Sequence, residues 1–523
     1  MRQLVALWLL CLTCLVSCSE GGPDNTGSGG ALTVLAGSEL KDIEPLLPQI
    51  EAATGLKLKL QYAGTLDAVE QLQSGAQFDF AWLASNRYAL LTPAVKARVL
   101  ASERTMISPV VLGVKADKAR ALGWDNADKP PTWAAIAKAA GEGRFRFGMS
   151  NPATSNTGFS AVLGLAAAIS GQGDALELKD IDFRTLAAFA KSQTLTAGSS
   201  GWLAEVYQRE ADSHDGLVNY ASVLHALNAS GQLKTPLVLV YPKDGVITAD
   251  YPFMLINPAQ RAAYDKLVEY LRGETFQKAM STTTRRQPVN TAVPSAVPAH
   301  TYFELPFPAK LEVINGLLDA YLNTVRRPAD STLVIDTSGS MSGERISQLQ
   351  TALTGLTGAD TSLSGRFAKW RERERITLFR FSDRVEDMQA WQLVEDKSTN
   401  AQRLQDYAEY VRRLSASGGT AIYSATQQAY EAALKRQAQA PDRVYSILLM
   451  TDGKNGDGLS ADQFVSWFNG LPPDKRGIRV FAVLFGDARS DELETITRPT
   501  GGRVFDAKKS GLQAAFKEIR GYQ

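Results

Sequence analysis

Short apolar runs alternate with stretches of helical spacing from residue 31 to the end of the chain, and this pattern restricts the fold more than any other feature. Strands that alternate with helices are joined by crossovers, so the expected class is α/β with parallel sheets. In the last third the pattern predicts strands over 332–335, 376–381, 445–450, 480–485 and 504–505, with helices over 422–436 and 512–519. Ser460 and Gln463 stand at capping-box spacing and predict a helix start. The 523 residues are enough for roughly two to four domains of about 150 residues. Hydrophobic residues at 44% and charged residues at 21% are globular usage, which excludes a disordered or fibrous chain. With a net charge of +1, nothing draws the chain electrostatically to nucleic acid, and no nucleic-acid partner is expected.

All the cysteines, Cys11, Cys14 and Cys18, fall near the start. The opening reads Met1-Arg2-Gln3, then an apolar run over 4–16, then Ser17-Cys18. A basic start, a short apolar core and a small residue before the cut describe a secretory signal peptide over 1–17. The run is shorter than the roughly 20 residues a spanning helix needs. The apolar stretch 161–169 is shorter still and reads as a buried helix. Leu15-Val16-Ser17-Cys18 resembles a bacterial lipobox, which implies cleavage before Cys18, lipidation of its thiol and attachment to a lipid membrane. Cleavage leaves Cys18 with no disulfide partner, and lipidation consumes the thiol. Ser19 implies, by likeness to Gram-negative sorting, the outer membrane. Residues 18–30 are dominated by Gly, Ser and Asn and read as a flexible leash. The expected location is the cell envelope, outside the cytoplasm.

The break Arg326-Arg327-Pro328-Ala329-Asp330 divides the remainder into bodies over 31–325 and 331–523, each large enough for its own core. In the second body the first strand ends in Asp336-Thr337-Ser338-Gly339-Ser340. Carboxyl ends of parallel strands are where α/β sheets place ligands. One carboxylate and two hydroxyls at alternate residues point the same way from an extended loop. Thr420, after Gly418-Gly419, and Asp452, after the strand 445–450, offer two more oxygens. Few carboxylates, several hydroxyls and no His or Cys suit a hard cation, Mg²⁺ with Mn²⁺ or Ca²⁺ as alternatives.

These residues resemble the metal-ion-dependent adhesion site of the von Willebrand factor type A domain, Asp-x-Ser-x-Ser followed by a distant Thr and a distant Asp. Asp336, Ser338 and Ser340 match the first element, Thr420 the second and Asp452 the third, in the family's order. The resemblance covers residues 331–523 and implies a doubly wound, Rossmann-like domain that recognises a protein partner offering an acidic residue. With three neutral hydroxyls among five ligands, the cation keeps positive charge for that carboxylate. Asp336-Thr337 is not an aspartic-protease signature, because Ser338 stands where Gly is needed and no second copy exists. Nor does Asp336 have the second Asp that an aspartyl-phosphate phosphatase uses. The stretch 452–458 lacks a calcium loop's oxygens at Lys454 and Gly456 and reads as a turn.

The first body carries a strand-turn-helix start at Gly37-Ser38-Glu39, a strand ending at Ser85, and two candidate hinge crossings, 108–114 and 237–242. In that order these segments resemble the two-lobed, periplasmic-binding-protein-like extracellular solute-binding proteins that serve ABC importers. The resemblance implies lobe one over 31–113 and 245–325, and lobe two over 115–240. Ser155, Asn156 and Thr157 open a helix, whose free N–H groups and hydroxyls form an anion site. Ser38 and Ser85 from the facing lobe, with Tyr220 and Ser222, complete a cleft of neutral donors for a small anionic solute. Plain N-capping explains the same residue types equally well. His214, His225 and His300 form no zinc motif, and no phosphate-binding loop or nucleophile elbow stands in a suitable place, so no enzymatic activity is expected. The reading is a lipid-anchored envelope protein that grips a partner through its metal site and uses the cleft for sensing or docking. The alternative is a solute receptor of an ABC importer, for a small oxyanion.

Overall fold

The computed structural model describes residues 30–523. The signal peptide, Cys18 and nearly all of the leash lie outside the described residues. Among the described residues no helix is long and apolar enough to cross a membrane.

Lobe one is built on a five-stranded sheet, ordered Leu58–Ala63, Leu32–Gly37, Phe80–Trp82, Pro252–Leu255, Ala101–Arg104. Its first three strands are parallel, and Pro252–Leu255 runs antiparallel to both neighbours. Lobe two's sheet centres on Met106–Lys115, which pairs with Gly216–Tyr220, Leu237–Val240 and Thr248–Ala249. Phe147–Ser150 and Gln193–Ala197 extend it. The segment 106–113, read as part of lobe one, thus lies in the sheet of lobe two. Met106–Lys115 is almost wholly buried, so its apolar run gives no sign of where one lobe ends. The chain changes sheets at Thr105 and again at Asp250–Tyr251. Tyr251 stands at φ 43°, in the left-handed region that non-glycine residues seldom enter. Its carbonyl accepts from Thr105 Oγ1 at 2.6 Å and Trp82 Nε1 at 3.2 Å, which fixes the bend between the lobes.

The second body is a six-stranded sheet in the order Val385–Gln392, Arg375–Phe381, Ala329–Asp336, Val444–Thr451, Arg479–Leu484, Val504–Asp506. All neighbours are parallel except the antiparallel edge strand Val385–Gln392. Helices lie on both faces, with separate apolar clusters around Leu333 and Ile335 on one side and Val334 and Leu449 on the other. The central strand begins at Ala329, inside the segment read as a break. Asp330 there is buried, because Arg436 grips its carboxylate at 3.0 Å. The capping box forms, Gln463 N donating to Ser460 Oγ at 3.3 Å and Ser460 N to Gln463 Oε1 at 2.8 Å.

The two bodies pack together. Ser364 N donates to Glu70 of lobe one, and Arg479 pairs with Glu210 of lobe two at 2.6 Å. Trp202 of lobe two meets Tyr522 edge-on, 4.7 Å between ring centres. The second body therefore touches both lobes.

Candidate functional site

The register carries Asp336 and Asp452 to the same edge of the sheet, since Ile335 pairs with Met450 and Asp452 follows its strand directly. Asp336 is fully buried. Its Oδ1 accepts from Ser338 N at 2.7 Å and its Oδ2 from Thr451 Oγ1 at 2.6 Å. Burial pushes the Asp336 carboxyl above the usual range, against the hydrogen bonds from Thr451 and Ser338. Ser338 Oγ and Ser340 Oγ are 3.0 Å apart, and Ser340 Oγ donates to Asp452 Oδ1 at 2.7 Å. The loop bearing Thr420 is fastened to the same turn: Ser417 N donates to Thr337 O at 2.8 Å, and Gly339 N to Gly418 O at 3.0 Å. A Cβ on Gly453 would lie 3.4 Å from Ser340 Oγ and 3.9 Å from Thr420 Oγ1, so both hydroxyls flank that glycine. Asp336, Ser338, Ser340, Thr420 and Asp452 thus converge from three loops.

Sequence reasoning missed three supports of this arrangement. Thr451 orients Asp336. Asp457, inside the stretch read as a turn, accepts from Thr420 N at 2.8 Å and holds that loop. Arg345 binds Asp452 at 2.6 Å. A polar residue one position before or five after a motif carries no signal in one sequence. Among the described residues no group of three or more His, Cys, Asp or Glu is placed to hold a metal. The donor set at this turn is instead hydroxyl-rich oxygen with two fully buried carboxylates, Asp336 and the Arg345-paired Asp452, which fits a hard cation. Asp336, Ser338, Ser340 and Thr420 would hold it, and the cation would supply a Lewis-acidic point for an incoming carboxylate.

The cleft between the lobes is a chamber of about 2070 Å³. Its third wall comes from the second body, through Ser347 and Thr351 on one helix and Lys517 and Glu518 on another. Pockets for small ligands are usually about 300–1,000 Å³, so the chamber is wider than a simple oxyanion needs. Of the residues expected to bind solute, Ser38 and Ser222 line it, whereas Ser85, Ser155, Asn156, Thr157 and Tyr220 do not. Thr157 Oγ1 bonds Ser150 Oγ at 2.6 Å and lies 3.3 Å from Ser155 Oγ, so these hydroxyls are spent on one another. Asn156 Nδ2 donates to Tyr220 OH at 3.1 Å, Ser222 bonds Ser108, and Ser85 Oγ accepts from Arg87 N.

Nor is the cleft free of charge. Arg286, fully buried, pairs with Asp42 at 2.8 Å and lies 4.5 Å from the Tyr251 ring centre. Glu39 lines the chamber, and burial pushes its carboxyl up to about 7 against a backbone hydrogen bond and Arg286. Glu39 Oε1, Tyr251 OH and Arg286 Nε are buried without a hydrogen-bond partner.

Fold and sites together define a two-part protein, a two-lobed cleft joined to an α/β body with an oxygen-lined turn. Residues 32–283 match the family model of bacterial extracellular solute-binding proteins, and residues 330–518 match the von Willebrand factor type A domain. Each body thus matches one of the two family models. Similar solved structures include the periplasmic binding protein AfuA of Actinobacillus pleuropneumoniae with fructose-6-phosphate bound, at 14% identity and TM-score 0.45, covering 57% of this chain and 99% of that one. The ferric binding protein of Campylobacter jejuni is 16% identical at TM-score 0.44, covering 55% and 98%. A stretch of 133 residues is 30% identical to an uncharacterized Synechocystis protein, sll0103, over 25% of this chain. The chain spans 27% of that relative's length.

Proposed function

We propose that this is a cell-envelope protein that binds an acidic residue of a protein partner through a hard cation, Mg²⁺ foremost, at the site of Asp336, Ser338, Ser340, Thr420 and Asp452, with Asp452 reaching the ion through the Ser340 hydroxyl. The observation that carries the reading is the fastening of the Thr420 loop to the Asp336 turn by two backbone hydrogen bonds, with Ser340 joined to Asp452. The protein acts by binding rather than catalysis, and lipidation of Cys18 tethers it to a membrane, the outer one in a Gram-negative cell. The solute-binding body serves sensing or docking, supported by the second body's contacts with both lobes. The test is capture from solubilised envelope with immobilised protein. Partners are expected to be lost on chelation with EDTA and in Asp336→Ala with Asp452→Ala; capture indifferent to both would contradict the reading. For the tether, wild type is expected in the membrane fraction and Cys18→Ala in the soluble one.

A second reading, a receptor for a small oxyanion serving an ABC importer, draws on the family of residues 32–283. The inward-turned hydroxyls and Glu39 weigh against it. Titration calorimetry with phosphate, sulfate and molybdate is expected to be silent, and heat from any of them would favour the receptor.

A further inference from the structure

We infer that Arg345 is a positioning residue that holds Asp452 away from the cation and so keeps the metal site under-neutralised toward an incoming carboxylate. The inference rests on the metal reading above.

Both oxygens of the fully buried Asp452 carboxylate are engaged: Oδ1 accepts from Ser340 Oγ at 2.7 Å and Oδ2 from Arg345 Nη1 at 2.6 Å. Arg345 lies in the first turn of the helix Glu344–Thr354, which follows the Asp336 turn, so its backbone moves with the site it serves. Its second nitrogen is anchored outward on the exposed Asp487 at 2.8 Å. The loop after the strand Arg479–Leu484 closes over the pair. Gly486 there has φ 52°, and a Cβ on it would fall 2.7 Å from Asp452 Cβ and 3.1 Å from Arg345 Cζ. Asp487 N donates to Asp452 O at 2.8 Å in the same loop.

Charge follows from this geometry. The three neutral hydroxyls do not by themselves leave the cation charged, because the other two expected ligands are carboxylates and a divalent ion bound by both, unpaired, would be neutralised. With Arg345 on Asp452, the cation, Arg345 and the two buried carboxylates sum to a positive charge; the Asp487 carboxylate, which also pairs with Arg345, stands in water and is screened from the ion. Ser340 still relays Asp452 to the cation through its hydroxyl, which polarises that ligand without placing a second carboxylate on the metal. Losing an outer partner elsewhere lowers metal affinity by about 10–100-fold; here the loss releases a second carboxylate, so a change of that order is expected in the opposite direction.

The experiment uses the intact protein and Mn²⁺ alone, by titration calorimetry, with water proton relaxation counting the waters left on the ion. Arg345→Gln frees Asp452 to join the cation: Mn²⁺ is expected to bind about tenfold more tightly, and its hydration to fall. Arg345→Lys retains a cation on Asp452 and is expected to stay near wild type. Asp487→Asn removes only the outer anchor and is expected to shift affinity the same way by less. Unchanged or weaker Mn²⁺ binding in Arg345→Gln, with hydration unchanged, overturns the inference. Mn²⁺ binding that survives in Asp336→Ala overturns instead the metal reading on which it rests.

Discussion

Arg479 grips both carboxylate oxygens of Glu210, Nη1 to Oε1 at 2.8 Å and Nη2 to Oε2 at 2.6 Å, across the boundary between the second body and lobe two. The guanidinium also lies 5.7 Å from the Trp202 ring centre. Paired donors in a fixed fork give both strength and geometry. Although burial pushes Glu210 the other way, Arg479 and His214 pull its carboxyl down to about 2. A carboxyl held low stabilises the docked state above the range where a free glutamate titrates, and that contribution is lost as pH falls toward 2. Glu210→Gln is expected to weaken docking by about 1.5–3 kcal/mol at neutral pH. Calorimetry would show it as one unfolding transition separating into two, and an unchanged single transition would count against the contact.

Glu374 ties the segment between the bodies to the C-terminus. It is fully buried and accepts from Arg326, from Arg520 Nη2 at 2.7 Å and from Arg371 N at 2.9 Å. Burial alone would raise its carboxyl, and Arg520 and Arg326 hold it low instead. Glu374→Ala leaves two nearly buried guanidiniums without their partner and is expected to cost about 3–5 kcal/mol in urea unfolding. A loss under 1 kcal/mol, about that of an exposed pair, would show that water replaces the carboxylate.

Gly158 lets the helix Asn156–Ser170 press its first turn against the strand Phe147–Ser150. A Cβ there would fall 2.0 Å from Ser150 O, while Gly158 N donates to Ser150 Oγ at 2.9 Å. Gly158→Ala is expected to destabilise by about 1–3 kcal/mol through overpacking. Hydrogen exchange should speed up over 150–160 and not in the second body; uniform or absent change would contradict the close approach.

Glu39 sets a pH dependence of the opposite sense to Glu210. Its folded value of about 7 exceeds the ordinary 4.5, so the folded state holds the proton more tightly. Stability from this group is full below pH 4.5, falls as pH rises to about 7 and is flat beyond. Glu39→Gln removes the dependence and is expected to exceed wild type by about 1–3 kcal/mol above pH 7. Melting temperatures of the two proteins that run parallel from pH 4.5 to 8 would contradict this.

The α/β class and four of the turn's oxygens were legible because each signal is local: Asp336, Ser338 and Ser340 share one loop, and Asp452 follows a buried strand, whereas Thr420 is marked only by the two glycines before it. The edge strand Val385–Gln392 was not, since its side chains Asp387, Gln389 and Gln392 hide any apolar alternation. Asp330 disguised a buried strand start, because a paired charge looks like a loop residue until Arg436 is seen. In the cleft, hydroxyl-rich segments read as donors to a ligand, yet Ser150, Ser155 and Thr157 satisfy each other. Glu39 beside Ser38 carries no sign of its burial, and nothing in sequence brings Arg286 to Asp42 and Tyr251.

The most direct measurement is a crystal structure grown with Mn²⁺ and examined by anomalous scattering. The account predicts one peak at the turn, with oxygen ligands at about 2.0–2.6 Å, the range spanned by Mg²⁺ and Ca²⁺, from Ser338, Ser340 and the Asp336 and Thr420 side, and Asp452 still held by Arg345. No ion at that turn, or an ion bound elsewhere with Thr420 turned away, would contradict it.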